Sequence, residues 1–259
     1  MTDGMPDVGS TRQVASGNGP RRYTPHVIAY LVTIRSPVLI FVVACASVVA
    51  GAAATGAGQL PAPTLVRPVS PNLAPGPDGF IKRWLILEPI AANGLTDSLV
   101  QAAVKKEYFP DQLGVLPHDG DTVTVGDVTL AWHAVDTKNY NVNLYHFAYA
   151  LKKPTSNVLF WVVTVLDCPQ QVRGVRLAVG SNAASVWWVG GREVVGIYGD
   201  RQAVIDDGVS KRLTLERGTN VVRAAIVNGG GATDFCARFL GADDRPLTRF
   251  TVNLRDAAR

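Results

Sequence analysis

The 259-residue chain predicts an all-β fold, a jelly-roll-like antiparallel β-sandwich with one short helix near its start. Three observations predict it. Apolar runs of strand length recur from Phe80 to Leu254 with turn signals about every 8–12 residues. No helix-length segment alternates with those runs, so a doubly wound parallel sheet is excluded. The chain is 47% hydrophobic and 18% charged, too apolar for a disordered polymer.

Residues 1–24 are polar and Gly-rich with no hydrophobic period, which predicts disorder. Residues 25–58 contain the uncharged run "VLIFVVACASVVAGAAA" from Val38 to Ala54, with basic residues only on its N-terminal side. This segment predicts a signal peptide or membrane anchor and export of everything after it. Cleavage near Ala52–Ala57, retention as an anchor, and lipidation at Cys45 are three fates the residues leave open. Residues 59–79 carry prolines 61, 63, 68, 71, 75 and 77 and predict an extended linker. Residues 80–255 form the expected β-sandwich domain.

"FIKRWLIL" at its start has the pattern of a strand. Thr96–Phe109 predicts the helix, with Thr96 or Asp97 as N-cap and lysines in its later turns. "DTVTVGDVTLAWHAV" predicts two strands joined at Gly126-Asp127. "VNLYHFAYAL" and "NVLFWVVTVL" predict two more strands, followed by "GVRLAVG". Three longer segments complete the set, each with an internal turn: Gly190-Gly191, Arg217–Asn220 and Asp243-Asp244.

Successive strand side chains point to opposite faces, so Trp187 and Trp188 cannot both enter one core. The expectation is one inward ring and one outward ring, the latter available to stack on a ligand. The polar loops "GDRQAVIDDGVS" and "NGGGATDF" supply Arg201, Asp206, Asp207, Asn228 and Asp234. With Trp188 these are the candidate ligand-binding residues, because carbohydrate hydroxyls pair with Asp, Asn and Arg beside an aromatic. Ordinary turn formation is the competing role for Asp-Asp-Gly and Asn-Gly-Gly.

No catalytic constellation is legible. Gly-x-Ser-x-Gly is absent, and neither HxH nor HExxH occurs. His118 lies in a loop, while His133 and His146 lie in expected strands, where a structural role is favoured. No metal and no cofactor are expected. Cys168 and Cys236 either form one disulfide in an exported domain or remain buried free thiols. The net charge is +4, and from Phe80 onward there are 20 basic and 18 acidic residues. That balance, with no basic run interleaved with aromatics, argues against a nucleic-acid partner. A membrane is met only through the N-terminal segment.

"RLAVGSNAASVWWVGGREV", "GDRQ" and "LERGTNVVRAAIVNGGGATDFCARFLGADDRPL" together resemble a secreted bacterial jelly-roll family of the galactose-binding-like or carbohydrate-binding-module type. Close relatives in that family are often catalogued as acetylxylan esterase. Gly180, Ser181, Trp188, Gly218 and Asn220 match the family pattern. Asn182 and Ala183 stand where it has two aspartates, which removes the carboxylates a Ca²⁺ site in that loop would use. The sandwich pattern, the export segment and the absence of a catalytic constellation predict an exported, non-catalytic module that binds polysaccharide or oligosaccharide or packs against a partner domain. The resemblance leaves open an acetyl ester hydrolase acting on acetylated xylan, or an envelope scaffold.

Overall fold

The structure is a computed structural model, and it describes residues 64–92, 97–182, 184–199 and 201–254. The expected disordered tail and the signal or anchor segment lie outside the described residues. Among the described residues no helix is long and apolar enough to cross a membrane.

In chain order the fold begins with β1 (Leu65–Val66), β2 (Asn72–Leu73), β3 (Arg83–Leu87), β4 (Ile90–Ala91) and helix α1 (Asp97–Lys105). There follow β5 (Thr122–Val125), β6 (Val128–Thr137), β7 (Val142–Asn143) and helix α2 (Leu144–Ala150). Next come β8 (Val158–Cys168), β9 (Val172–Ser181), β10 (Ser185–Val189), β11 (Arg192–Ile197), β12 (Gly208–Val209) and β13 (Leu213–Leu215). The last three are β14 (Gly218–Asn228), β15 (Asp234–Leu240) and β16 (Thr251–Asn253). Two antiparallel sheets result. The larger runs β1-β6-β3-β8-β14-β10-β11, with β16, β2, β4 and β5 on its margins. The smaller runs β12-β9-β15-β7, with β13 also on β9. The fold is therefore an all-β, sandwich-like arrangement with two short helices.

The sheets meet through aromatic rings. Trp84 of β3 lies 5.0 Å from Phe235 of β15 and 6.1 Å from Trp187 of β10, and Trp187 lies 5.7 Å from Phe235. Trp187 Nε1 donates to Ser185 Oγ, so the buried indole has its partner. β8, the central strand, is buried at every position but Asp167. A strand buried on both faces needs cover on both. The second cover is α1 and the segment after it: Phe109 sets its ring edge-on against Trp132 and Trp161, each 6.3 Å away.

That second cover overturns the expectation of one outward tryptophan. Trp187 and Trp188 do point to opposite faces, but both faces are packed. Trp188 is 6% exposed, with its ring 5.2 Å from Trp161. It stands opposite Arg223, whose Nη2 donates to the Val115 carbonyl of the covering segment. The Gly190-Gly191 turn joins β10 to β11 as expected, with φ of 56° and 76°, values that a side chain resists.

Two further expectations differ from the structure. Residues 144–150 form α2, not a strand. Asn143 Oδ1 caps the helix by accepting from the His146 amide, and Leu144, Phe147 and Ala148 fall at helical spacing on its buried side. Within the stretch read as a linker, Leu65–Val66 pairs with β6 and Asn72–Leu73 with β16. Ser70 from that stretch also accepts from buried Arg83, which forks onto Asp136 at 2.7 and 2.8 Å. Prolines at the edge of a sheet cost no ladder bond, so a Pro-rich stretch joins it readily. Of the two outcomes open for the cysteines, the structure has the free thiols: Cys168 and Cys236 are both buried and unbonded. They sit in different sheets, Cys168 on β8 and Cys236 on β15. Burial pushes the Cys236 thiol up to about 11.

Candidate functional site

Along β15, Phe235, Ala237 and Phe239 are buried, and Phe235 and Phe239 make ring contacts with Trp84, Trp187 and Phe250. Asp234, Cys236 and Arg238 alternate with them and face the other way. The loop 201–207 lies over that second face. A Cβ on Gly180 would collide with the Val204 carbonyl oxygen, and the Arg201 amide donates to Asn182 O at 2.9 Å. Arg238 forks onto Asp206, with Nε 3.0 Å from Oδ1 and Nη2 on Oδ2. Arg201 pairs with Asp207. Asp206 has φ of 59°, a conformation Asp tolerates better than most residues. Arg201, Asp206 and Asp207 therefore come together on one face, where they strap the loop to the sheet. The hydrogen bonds Arg238 donates to Asp206 raise the Arg238 pKa.

Asn228 is buried at the end of β14. Its Nδ2 donates to the carbonyls of Thr155 and Gly231, and its Oδ1 accepts from the Gly230 amide. It shapes the turn that leads into Asp234. Trp188 belongs to the opposite side of the larger sheet, away from these residues.

Asp234 stands differently. Register places it beside Asn143 on β7, and its carbonyl accepts from the amide of Asn182, the residue just past β9, at 3.0 Å. Its Oδ2 accepts from Asn141 Nδ2 at 3.1 Å, while its Oδ1 is buried without a hydrogen-bond partner. Asn182 Oδ1 is likewise buried and has no partner among the described residues. Burial raises the Asp234 pKa, and Asn141 and nearby His146 only partly offset it. Two acceptor oxygens, one on β15 and one just past β9, thus lack donors among the described residues. Buried acceptors without donors are costly, so this end of the sheet favours a partner rich in O–H or N–H groups.

Helix α2 stands directly beside that pair, since the amides of Leu144 and Tyr145 both donate to Thr233 O. Tyr145 and Tyr149, one turn apart, hold their rings near-parallel, 8° between planes and 6.3 Å between centroids. Tyr149 is 69% exposed. A phenol face in water offers an apolar surface with a polar tip. His146 is exposed between the two tyrosines.

Beyond α2 lies a cleft of about 800 Å³ between the helix and the β1–β6 edge. Thr64–Arg67 form one wall and His146–Leu151 the other, with Asp119 and His133–Val135 between them. Most of the lining is apolar. Its charged groups already have partners. Asp119 pairs with Arg67 and accepts from the Ala134 amide at 2.9 Å. Burial alone would raise the Asp119 pKa, but the Ala134 and Arg67 hydrogen bonds outweigh it and hold the carboxyl below its usual value. Glu88 behaves the same way: burial opposes ionisation, and Lys153 with the Ala131 amide prevails. His133 sets its ring edge-on to Phe147 at 5.6 Å.

Sequence reasoning missed the cleft because one wall was read as linker and the other as strand. The signal for the second wall was present: Asn143 three residues before His146, then buried positions at i, i+3 and i+4. Ser181, a residue of the resemblance, is fully buried with its hydroxyl 2.9 Å from that of Ser185. Among the described residues no three His, Cys, Asp or Glu side chains are grouped to hold a metal ion.

No family model matches this chain, and no curated protein does. The esterase resemblance therefore gains no support from sequence comparison. Several solved structures are similar in outline. A PA14 sugar-binding domain from an RTX adhesin is 16% identical, with a TM-score of 0.41, over 66% of this chain and 96% of that one. The PA14 domain of the MpAFP antifreeze protein is 9% identical, with a TM-score of 0.39, over 65% of this chain and 89% of that one. A β-glucosidase from Kluyveromyces marxianus, solved with glucose, is 16% identical, with a TM-score of 0.33. That match covers 62% of this chain and 16% of the glucosidase.

Proposed function

We propose that this chain is a non-catalytic carbohydrate-binding β-sandwich module of the jelly-roll kind, exported by way of the apolar segment Val38–Ala54. One observation carries the reading: helix α2, whose Tyr149 ring is exposed, starts at the sheet end where Asp234 Oδ1 and Asn182 Oδ1 lack donors among the described residues. A pyranose ring presents an apolar C–H face that stacks on a phenol, and hydroxyls at its edge that donate to carboxylate and amide oxygens. Arg201, Asp206 and Asp207 contribute by holding the loop above Asn182. An ester hydrolase would need a nucleophile that substrate reaches, and Ser181, fully buried, is not one.

Affinity electrophoresis of the full-length chain through xylan, cellulose, pectin and mannan gels tests the reading. The expected result is retardation in at least one gel, weakened tenfold or more by Tyr149→Ala and by Asp234→Ala. Free migration in all four gels would overturn it.

A further inference from the structure

The apolar cleft beyond α2 does not suit a bare sugar. Its charged groups are mutually paired, so hydroxyls entering it would find few partners. Its volume of about 800 Å³ lies within the range of small-ligand sites, roughly 300–1,000 Å³, and its make-up matches them: apolar walls with few polar groups. The rings of His133, Phe147 and Tyr149 line it, and His133 and Phe147 already stand edge-to-face. An added arene extends such a cluster, whereas a linear alkyl chain gains area alone. Among the described lining residues, one buried polar atom lacks a hydrogen bond. It is His133 Nε2, 3.6 Å from Glu88 Oε1. The cleft is continuous with the proposed sugar platform, because Tyr149 and His146 belong to both.

We propose that the cleft binds an aromatic acyl group carried as an ester on the bound glycan, the ring lying between Val135, Phe147 and Leu151 and joining the edge-to-face pair of His133 and Phe147. The proposal rests on the carbohydrate reading and names its ligand class: aryl-esterified rather than bare polysaccharide.

The test has two arms, both with the full-length chain. In the first, calorimetry compares the methyl ester of a 4-hydroxycinnamic acid with a saturated straight-chain methyl ester of equal carbon number. The aryl ester is expected to bind at least tenfold tighter, and Ala150→Trp is expected to remove that binding. Ala150 is exposed on α2 and lines the cleft, so the larger ring fills the cleft from outside, and an unchanged circular-dichroism melting curve verifies the fold. In the second arm, arabinoxylan bearing aryl esters is compared with the same polymer after saponification. The esterified polymer is expected to bind at least tenfold tighter. Equal binding of both polymers, with no aryl ester binding, would overturn the cleft assignment and leave the carbohydrate reading standing. No binding of either polymer would overturn both.

Discussion

Replacing Trp188 by alanine separates a packing role from a ligand-stacking role. The ring is 6% exposed and lies 5.2 Å from Trp161. An aromatic side chain buries about 150–250 Å², which at ~25 cal/mol/Å² corresponds to roughly 4–6 kcal/mol as an upper bound. Measured Trp→Ala changes in cores fall at about 3–5 kcal/mol, and partial collapse of α1 onto the gap favours the lower half of that range. Taking about 4 kcal/mol, the melting temperature should fall by about 8–16 °C for a unit of this size. Far-UV circular dichroism during thermal and urea unfolding is the right assay, because removing an indole disturbs fluorescence. Trp188→Phe should retain more than half of the lost stability by keeping an aromatic ring against Trp161. Destabilisation below about 1 kcal/mol would refute the argument, since it would mean the outer face of β10 is open to solvent. Loss of glycan retention in Trp188→Phe, at unchanged stability, would refute it from the other side.

Two other substitutions probe the strap and the orphaned carboxylate. Gly180→Ala places a methyl group against the Val204 carbonyl, so loop 201–207 must move. Overpacking of this kind costs about 1–3 kcal/mol. Amide exchange at Arg201, now bonded to Asn182 O, should quicken markedly, and unchanged exchange there would contradict the strap. Asp234→Asn should flatten the pH dependence of stability. A raised folded pKa means that the folded state holds the proton longer than the unfolded chain does. Its contribution is present at low pH and is lost as pH rises from about 3.9 through the folded value. Asp119 and Glu88, with lowered values, act in the opposite sense and below their ordinary range. The difference between wild type and variant in urea unfolding should therefore shrink in the wild type's disfavour as pH climbs above about 4. Parallel curves would show that Asp234 is not held in a desolvating site.

The strands with the strongest apolar patterns were legible because burial and β propensity agree in them. β8 and β14 are long, β-branched and paired through eleven residues, from Gly218 opposite Cys168 to Asn228 opposite Val158. The hairpin turns were legible for a local reason, as Gly126, Gly190 and Gly191 adopt positive φ. Segment 142–151 was not, because "VNLYHFAYAL" satisfies a strand and a helix equally by hydrophobicity. What decides it is one side chain, Asn143, whose carboxamide caps the helix and stops β7 after two residues. The edge strands β1 and β2 escaped notice because two residues carry no period, and because proline content reads as linker wherever tertiary pairing is unseen.

The same distinction explains why the candidate site was only half visible. Sequence can nominate polar residues, but it cannot say which are already paired. Arg201, Asp206, Asp207 and Asp234 share one face of the smaller sheet. Three of them are held in ion pairs with Arg238 or each other, and Asp234 alone keeps an oxygen without a donor. Free valence is a property of three-dimensional neighbours and not of residue type, so Asp206 and Asp234 look alike until Arg238 and Asn141 are placed. The tryptophan pair follows the same logic. Alternation correctly sends Trp187 and Trp188 to opposite faces, but whether the second face meets water depends on Phe109, about eighty residues away in sequence. A ligand-facing ring in such a fold is better sought on an element whose outer side nothing covers. In this chain that element is α2, where Tyr149 stands in solvent.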